Sequence, residues 1–303
     1  MKNQNKAYLY VALAILAWST IATAFKITLR YINFVELLLY ASLTSTLLFS
    51  IYLFINKRLR KVFERPRKEL LRLAFNGILN PFVYYLLLLR AYELLPAQEA
   101  GTLNYFWPII LVLLSIPMLG QKISWLSIVS VFVSFMGIVI ISTHGKPWLM
   151  QFSNPFGVIL AITCPFIWAI YWILNMKIAG DEVEKLFIGF LSGTSLIIIY
   201  SAITHRLSFP PIEGLAGAVY VGIFEMGLTF IFWLKALRYS KTTANISNLV
   251  FLSPFLSLFY INFILKEKIL LSTLVGLILV VAGIIMQQYV PELEQKRKEA
   301  RQK

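Results

Sequence analysis

Ten near-continuous apolar stretches, most of them about twenty residues long, limit what this chain can fold into more than any motif does. A helix rising about 1.5 Å per residue needs about twenty residues to cross about 30 Å of hydrocarbon. The runs predict spans over residues 7–29, 34–55, 71–89, 97–119, 124–142, 156–176, 187–204, 214–237, 243–265 and 271–289. A soluble fold of 303 residues is excluded, because 59% of them are hydrophobic and 14% charged, which leaves too little polar surface. The expected fold class is therefore an all-α polytopic membrane protein. The first run is longer than a signal-peptide core and is expected to remain as a span.

The formal charge of +14 raises the question of nucleic acid, but the basic residues track the loops. Most of the 28 Lys and Arg, including "NKRLRKVFERPRKELLR" and "EQKRKEARQK", share one side if both termini are cytoplasmic. That is the positive-inside arrangement, and it makes anionic lipid head groups the expected partner, not nucleic acid. The single cysteine, Cys164, falls in a span and excludes an intramolecular disulfide; His144 and His205 fall in loops. With so few sulfur and imidazole ligands, neither a transition metal nor another cofactor is expected.

The two halves match. Pro108 overlies Pro254 and, without a gap, Leu119 overlies Leu265, Gln121 Glu267, Lys122 Lys268, Ile123 Ile269 and Gly137 Gly283. With one residue of slippage, Gly77 and Ile78 overlie Gly222 and Ile223, and Arg90 and Ala91 overlie Lys235 and Ala236. Five spans per half force the second copy to enter the membrane from the opposite side, so the repeats are inverted. The division predicted is 1–146, 147–290 and a basic cytoplasmic tail, 291–303. Inverted repeats build many secondary transporters, because exchanging the conformations of the halves opens one face and closes the other. A structural duplication without transport would leave the same match.

These elements carry a resemblance. The "LAWST" around Trp18, "RAYELLPAQEAG" and "KALRYSKTTAN" each followed by a proline, and the turns "LGQKIS" and "LKEKIL" resemble the repeat of the EamA-type permeases in the drug/metabolite transporter superfamily. "EAGTLNYFWP" and "FIWAIYW" look most like the aromatic amino-acid exporter branch; Glu225 in "FEMGLTFIFWLKAL" departs from it. The resemblance implies a ten-helix basket with both termini cytoplasmic. Its central cavity would lie between the third, fourth, eighth and ninth helices, with the first and sixth contributing. It also implies ATP-independent export of amino acids or similar small metabolites across a prokaryotic cell membrane.

Polar groups within the spans select the candidate site. An ionised residue at a helix centre costs about 2.5 to 3.5 kcal/mol, so it should face a cavity or a partner. Glu225 lies mid-span, and its repeat mate is Asn80; a pair so related marks a substrate or proton site, with a structural hydrogen bond between helices as the alternative. Glu99, paired with Asn245, either guards the outer mouth or serves the first turn of its helix, where a carboxylate suits the dipole. Pro108 and Pro254 are expected to kink matched helices, for gating or for packing. Trp168, Tyr171, Trp172 and Asn175 recur at helical spacing, Asn80 and Tyr84 share a face, and Asn104, Tyr105 and Trp107 cluster before Pro108. Asn248 joins this cavity set. Aromatic walls with a few polar groups suit a planar amphiphile and a cation–π contact with its amine. Lys26 and Arg30 follow Ser19 and Thr23 in the first span and are read as snorkelling outward.

The expected function is a secondary carrier exporting aromatic or other neutral amino acids by alternating access. The alternative is a proton-coupled exporter of other metabolites or drugs, with Glu225 carrying the proton. A membrane-embedded enzyme lacks a visible Ser/His/Asp set, metal cluster or phosphate-cradling loop, and a channel is the remaining class.

Overall fold

The computed structural model describes residues 3–95, 100, 103–143, 145–149, 154–265 and 271–302. Among these, ten helical segments follow the ten apolar runs: α1 (Gln4–Thr28), α2 (Phe34–Ile55), α3 (Arg67–Leu94), α4 (Trp107–Leu119), α5 (Trp125–Ser142), α6 (Pro155–Lys177), α7 (Glu182–Ile203), α8 (Ile212–Tyr239), α9 (Leu252–Leu265) and α10 (Leu271–Gln302). Six of them, α1, α2, α3, α6, α7 and α8, are long and apolar enough to span by themselves. Helices satisfy every backbone polar group internally, which hydrocarbon requires. Large apolar side chains such as Leu47, Phe54, Ile203 and Phe263 stay exposed, as lipid-facing positions do.

The helices pair in a mirrored way. α1 packs on α8 and α9, α6 packs on α3 and α4, α2 packs on α7, and α5 packs on α10. The second and seventh helices correspond at an offset of 148 residues, the separation of Thr46 and Thr194, whose hydroxyls hydrogen-bond at 2.9 Å. At that offset the N-caps are Asn33 and Asp181, the C-caps Asn56 and Thr204, and the left-handed residues just beyond are Lys57 and His205, both with φ 54°. Each N-cap side chain accepts from the amides of the second and third helical residues, and Glu36 and Glu184 occupy the third position.

Backbones approach closely where glycine allows it. A Cβ on Gly77 in α3 would lie 2.0 Å from the Gly189 carbonyl oxygen of α7, and one on its mate Gly222 would lie 2.5 Å from the Ala41 carbonyl oxygen of α2. These contacts carry hydroxyl bonds to the backbone: Ser192 Oγ donates to Ala74 O and Ser45 Oγ to Gly222 O, each at 2.7 Å. Gly137 and Gly283 bring α5 and α10 together in the same way.

α3 and α8 are each interrupted by a π-helical turn, Ile78–Val83 and Gly222–Gly227. In α3 the cause is Pro81, which removes a donor and pushes Asn80 to φ −155°, ψ 123°. In α8 there is no proline, and Gly227 takes an irregular φ −91°, ψ −92°. The two prolines expected to kink helices differ from each other. Pro108 occupies the first turn of α4, after a turn at Tyr105 and Phe106, and Pro254 occupies the first turn of α9, after the 3-10 segment Asn248–Phe251. A first-turn proline lacks an N–H that would have no helical partner anyway, so Pro108 starts a helix instead of bending one, whereas Pro254 lies in a helical stretch that continues from Ala244 to Leu265 and tightens to 3-10 just ahead of it.

Candidate functional site

The π-helical turn of α8 places Glu225 inside the protein, 6% exposed. Its Oε1 accepts from the Tyr85 hydroxyl at 2.7 Å; Oε2 is buried without a hydrogen bond of good geometry, and its other polar neighbour is the Trp18 indole. Glu225 lines a cavity of about 70 Å³ whose walls come from α1, α3, the approach to α4, α6, α8 and the segment before α9. That volume holds a few waters, so an amino-acid-sized molecule requires the walls to part.

The walls are aromatic. Trp18, Trp107 and Trp233 form one cluster with ring centroids 5.3 to 6.0 Å apart, and Trp107 reaches Trp168 at 6.3 Å. Trp168 in turn lies against Tyr84 at 4.2 Å. The Tyr84 hydroxyl and the Asn104 amide exchange hydrogen bonds at 3.2 to 3.3 Å. The described lining residues include one carboxylate and no lysine, arginine or histidine.

Of the residues singled out from sequence, the cavity brings together Tyr84, Asn104, Tyr105, Trp107, Trp168 and Glu225. Glu99 lies outside the described residues. Asn80 is fully buried but does not line the cavity: its extended backbone ahead of Pro81 takes it out of the register it would share with Tyr84, and its polar neighbour is the Tyr171 hydroxyl. Trp172 packs on Phe230, 5.0 Å between centroids, and Asn175 Nδ2 donates back to Tyr171 O at 2.9 Å, so the lower part of that α6 face is covered by α8. Asn248 Nδ2 donates to Gly283 O at 2.9 Å, tying the α9 approach to α10, and Asn245 is half-buried off the cavity. Sequence reasoning missed Tyr85, the partner of Glu225, and Tyr92; both lie on α3 at helical spacing from Leu88, a signal that was available.

The face that carries the N-terminus holds a second polar constellation. Asn3 N donates to Tyr239 O, placing the end of α8 there with the starts of α1 and α7. Asp181 and Glu184 are bound by Arg58 at 3.1 and 2.7 Å, Glu184 also by Arg65 at 2.5 Å, and Glu182 by Arg238 at 2.8 Å. Buried Lys185 donates to Asn175 O and Ile178 O, closing the C-terminal end of α6. Gly180, with φ 116°, makes the turn between α6 and α7 and leaves room for Arg65, whose Nη2 would lie 2.4 Å from a Cβ. On the opposite face the matching Glu36 receives the Ser208 hydroxyl and the Asn33 amide, and Arg206 stacks on Phe34 at 5.3 Å.

Comparison with known proteins agrees with this architecture. The model of the EamA-like transporter family matches twice, over residues 5–143 and 155–287. An uncharacterized transporter of Archaeoglobus fulgidus is 25% identical over 287 residues, 93% of this chain and 97% of that protein. An aromatic amino acid exporter, YddG, of Ancylobacter novellus is 27% identical over 165 residues, 52% of this chain and 55% of its own. A solved crystal structure superposes with a TM-score of 0.81 over 96% of this chain and 100% of that one, at 21% identity, and so shares the fold.

Proposed function

The chain belongs to the EamA-like transporter family, and from that premise we propose that it is a secondary carrier exporting small amphipathic metabolites that bear an amino group, aromatic and other neutral amino acids among them. It is a multi-pass membrane transporter and not an enzyme. What supports the finer reading is the buried Glu225 among Trp18, Tyr84, Trp107 and Trp168, a wall on which a planar body stacks while its ammonium meets the carboxylate. One distant relative that carries the name of an aromatic amino acid exporter points the same way. In this reading the halves are two inverted five-helix repeats, 1–146 and 147–290. Both termini are cytoplasmic, because that orientation satisfies the positive-inside rule in a prokaryotic inner membrane, with the basic face against anionic lipid.

The ion pairs on the N-terminal face join the α2–α3 connection to α7, and the opposite face has hydroxyl and ring contacts at the matching places. Alternating access would exchange the two environments, with Arg206 taking Glu36 as Arg58 releases Glu184. The test is counterflow in proteoliposomes with labelled tryptophan outside and excess unlabelled amino acids inside. Transient, saturable accumulation is expected; linear uptake equal to that of protein-free vesicles would reject aromatic amino acids as cargo. The second reading, proton coupling through Glu225, is favoured by the same carboxyl having neutral donors and, among the described lining residues, no cation beside it. It predicts that an imposed pH gradient drives uphill flux.

A further inference from the structure

The charge inventory of the cavity goes further than its shape. An α-amino acid at neutral pH carries a carboxylate as well as an ammonium group, and both would have to be buried here. The ammonium has Glu225 and an aromatic surround. The carboxylate has nothing of opposite charge among the described lining residues. The hydrogen-bond donors on the described lining residues are all neutral indoles, hydroxyls and one amide; among them Trp168 Nε1 has no hydrogen-bond partner, and the Asn104 Nδ2 already donates to the Tyr84 hydroxyl. A neutral donor suits a hydroxyl, an ether or a carbonyl, but it does not offset a buried charge, and a carboxylate held close to Glu225 would also be repelled by it.

We infer that the cavity selects for net positive charge, and that its preferred cargo is an aromatic or similarly planar amine without a free carboxylate, Glu225 being its counter-ion. Three observations meet in this assignment: one acid and no base among the described lining residues, and indole and phenol rings on several sides. The ring arrangement is that of sites recognising ammonium groups, where the ring faces attract the cation and the apolar body gains by burial. A zwitterion gains the same stacking but leaves its second charge uncompensated, so it should bind more weakly at equal size. This inference rests on the carrier reading and narrows it.

The experiment compares two molecules that differ by one carboxylate. Counterflow of labelled tryptophan and labelled tryptamine is measured in the same proteoliposomes, with protein-free vesicles correcting for passive entry of the uncharged amine. A permanently charged analogue, trimethylated at the amine, removes that route altogether. Saturable flux of both amines at least tenfold above that of tryptophan is expected. Tryptophan equal to or above the amines would overturn the inference and leave the carrier standing, whereas saturable flux of none of the three would overturn both. Glu225→Gln should abolish the difference between tryptamine and tryptophan. Because that variant could fail to fold, binding of the trimethylated amine and of tryptophan to the unaltered protein is titrated by calorimetry as well; half-saturation no lower for the amine than for tryptophan would count against the inference.

Discussion

The two halves of the molecule repeat their backbone more faithfully than their charges. α3 and α8 both break into a π-helical turn at matched places, yet one turn carries Asn80 beside a proline and the other Glu225 without one. α2 and α7 are capped by matched residues, yet Glu184 is held by two guanidinium groups and Glu36 by a hydroxyl and its own capping amide. The difference teaches that the duplicated scaffold sets where irregular backbone and helix ends occur, while single substitutions on it decide which half supplies charge. A carrier needs the first property to exchange its two faces and the second to recognise cargo.

Three paired substitutions break or sharpen this comparison. Glu225→Gln against Asn80→Ala should give the largest contrast: about a hundredfold or greater loss of counterflow for the first and less than tenfold for the second, since the charge sits in one half only. Equal losses would mean that the two turns act as one site. Gly77→Ala against Gly222→Ala comes next. Each Cβ meets a backbone oxygen, at 2.0 and 2.5 Å, so both variants should lose about 1 to 3 kcal/mol, with the larger loss at Gly77. Thermal unfolding in detergent reads the order, and an unchanged Gly77 variant would refute the close approach of α3 and α7. Glu184→Gln against Glu36→Gln is the smallest. Arg65 and Glu184 are only 13% and 11% exposed, so losing the pair should cost about 1 to 2 kcal/mol, whereas the hydroxyl contact of Glu36 should cost about 0.5 to 1 kcal/mol. The same Glu184 variant should speed labelling of a cysteine introduced near Gly180 if those pairs hold that face shut.

Much of the fold was readable because the bilayer enforces it. The run at residues 34–55 coincides with α2, the ends of α1 and α6 fall within three residues of the runs that predict them, and α9 shares its last residue with its run but begins nine residues later. The interruption of α3 had a signal in Pro81, an interior proline that was passed over, whereas "GIFEMG" in α8 carries no proline to mark its π-helical turn. Within the site, Glu225 and Trp168 were found because a carboxylate and an indole deep in a span are costly or unusual. Asn175 and Trp172 share the helical face of Trp168, but a face on a helical wheel is longer than the cavity it borders, and Phe230 covers the remainder. The kinship of α2 and α7 was legible as well: besides the caps "NFVE" and "DEVE", Leu38, Leu43, Leu48, Ile51 and Tyr52 recur at the same offset as Leu186, Leu191, Leu196, Ile199 and Tyr200, a match that the prolines and turns of the other helices overshadowed.

The bond between Thr46 and Thr194 has a particular standing in such a molecule. Swapping the conformations of the halves turns a contact between unlike positions into a different contact, so Arg58 with Glu184 becomes Arg206 with Glu36. Thr46 with Thr194 becomes Thr194 with Thr46. It is a fixed point of the proposed exchange: the same two hydroxyls would meet before and after, with only their donor and acceptor roles reversed, because Thr46 Oγ1 here donates to Ser42 O at 2.8 Å. In the proposed exchange the motion would turn about this spot as about a bearing, with displacement growing toward the two membrane faces and smallest where the two threonines meet.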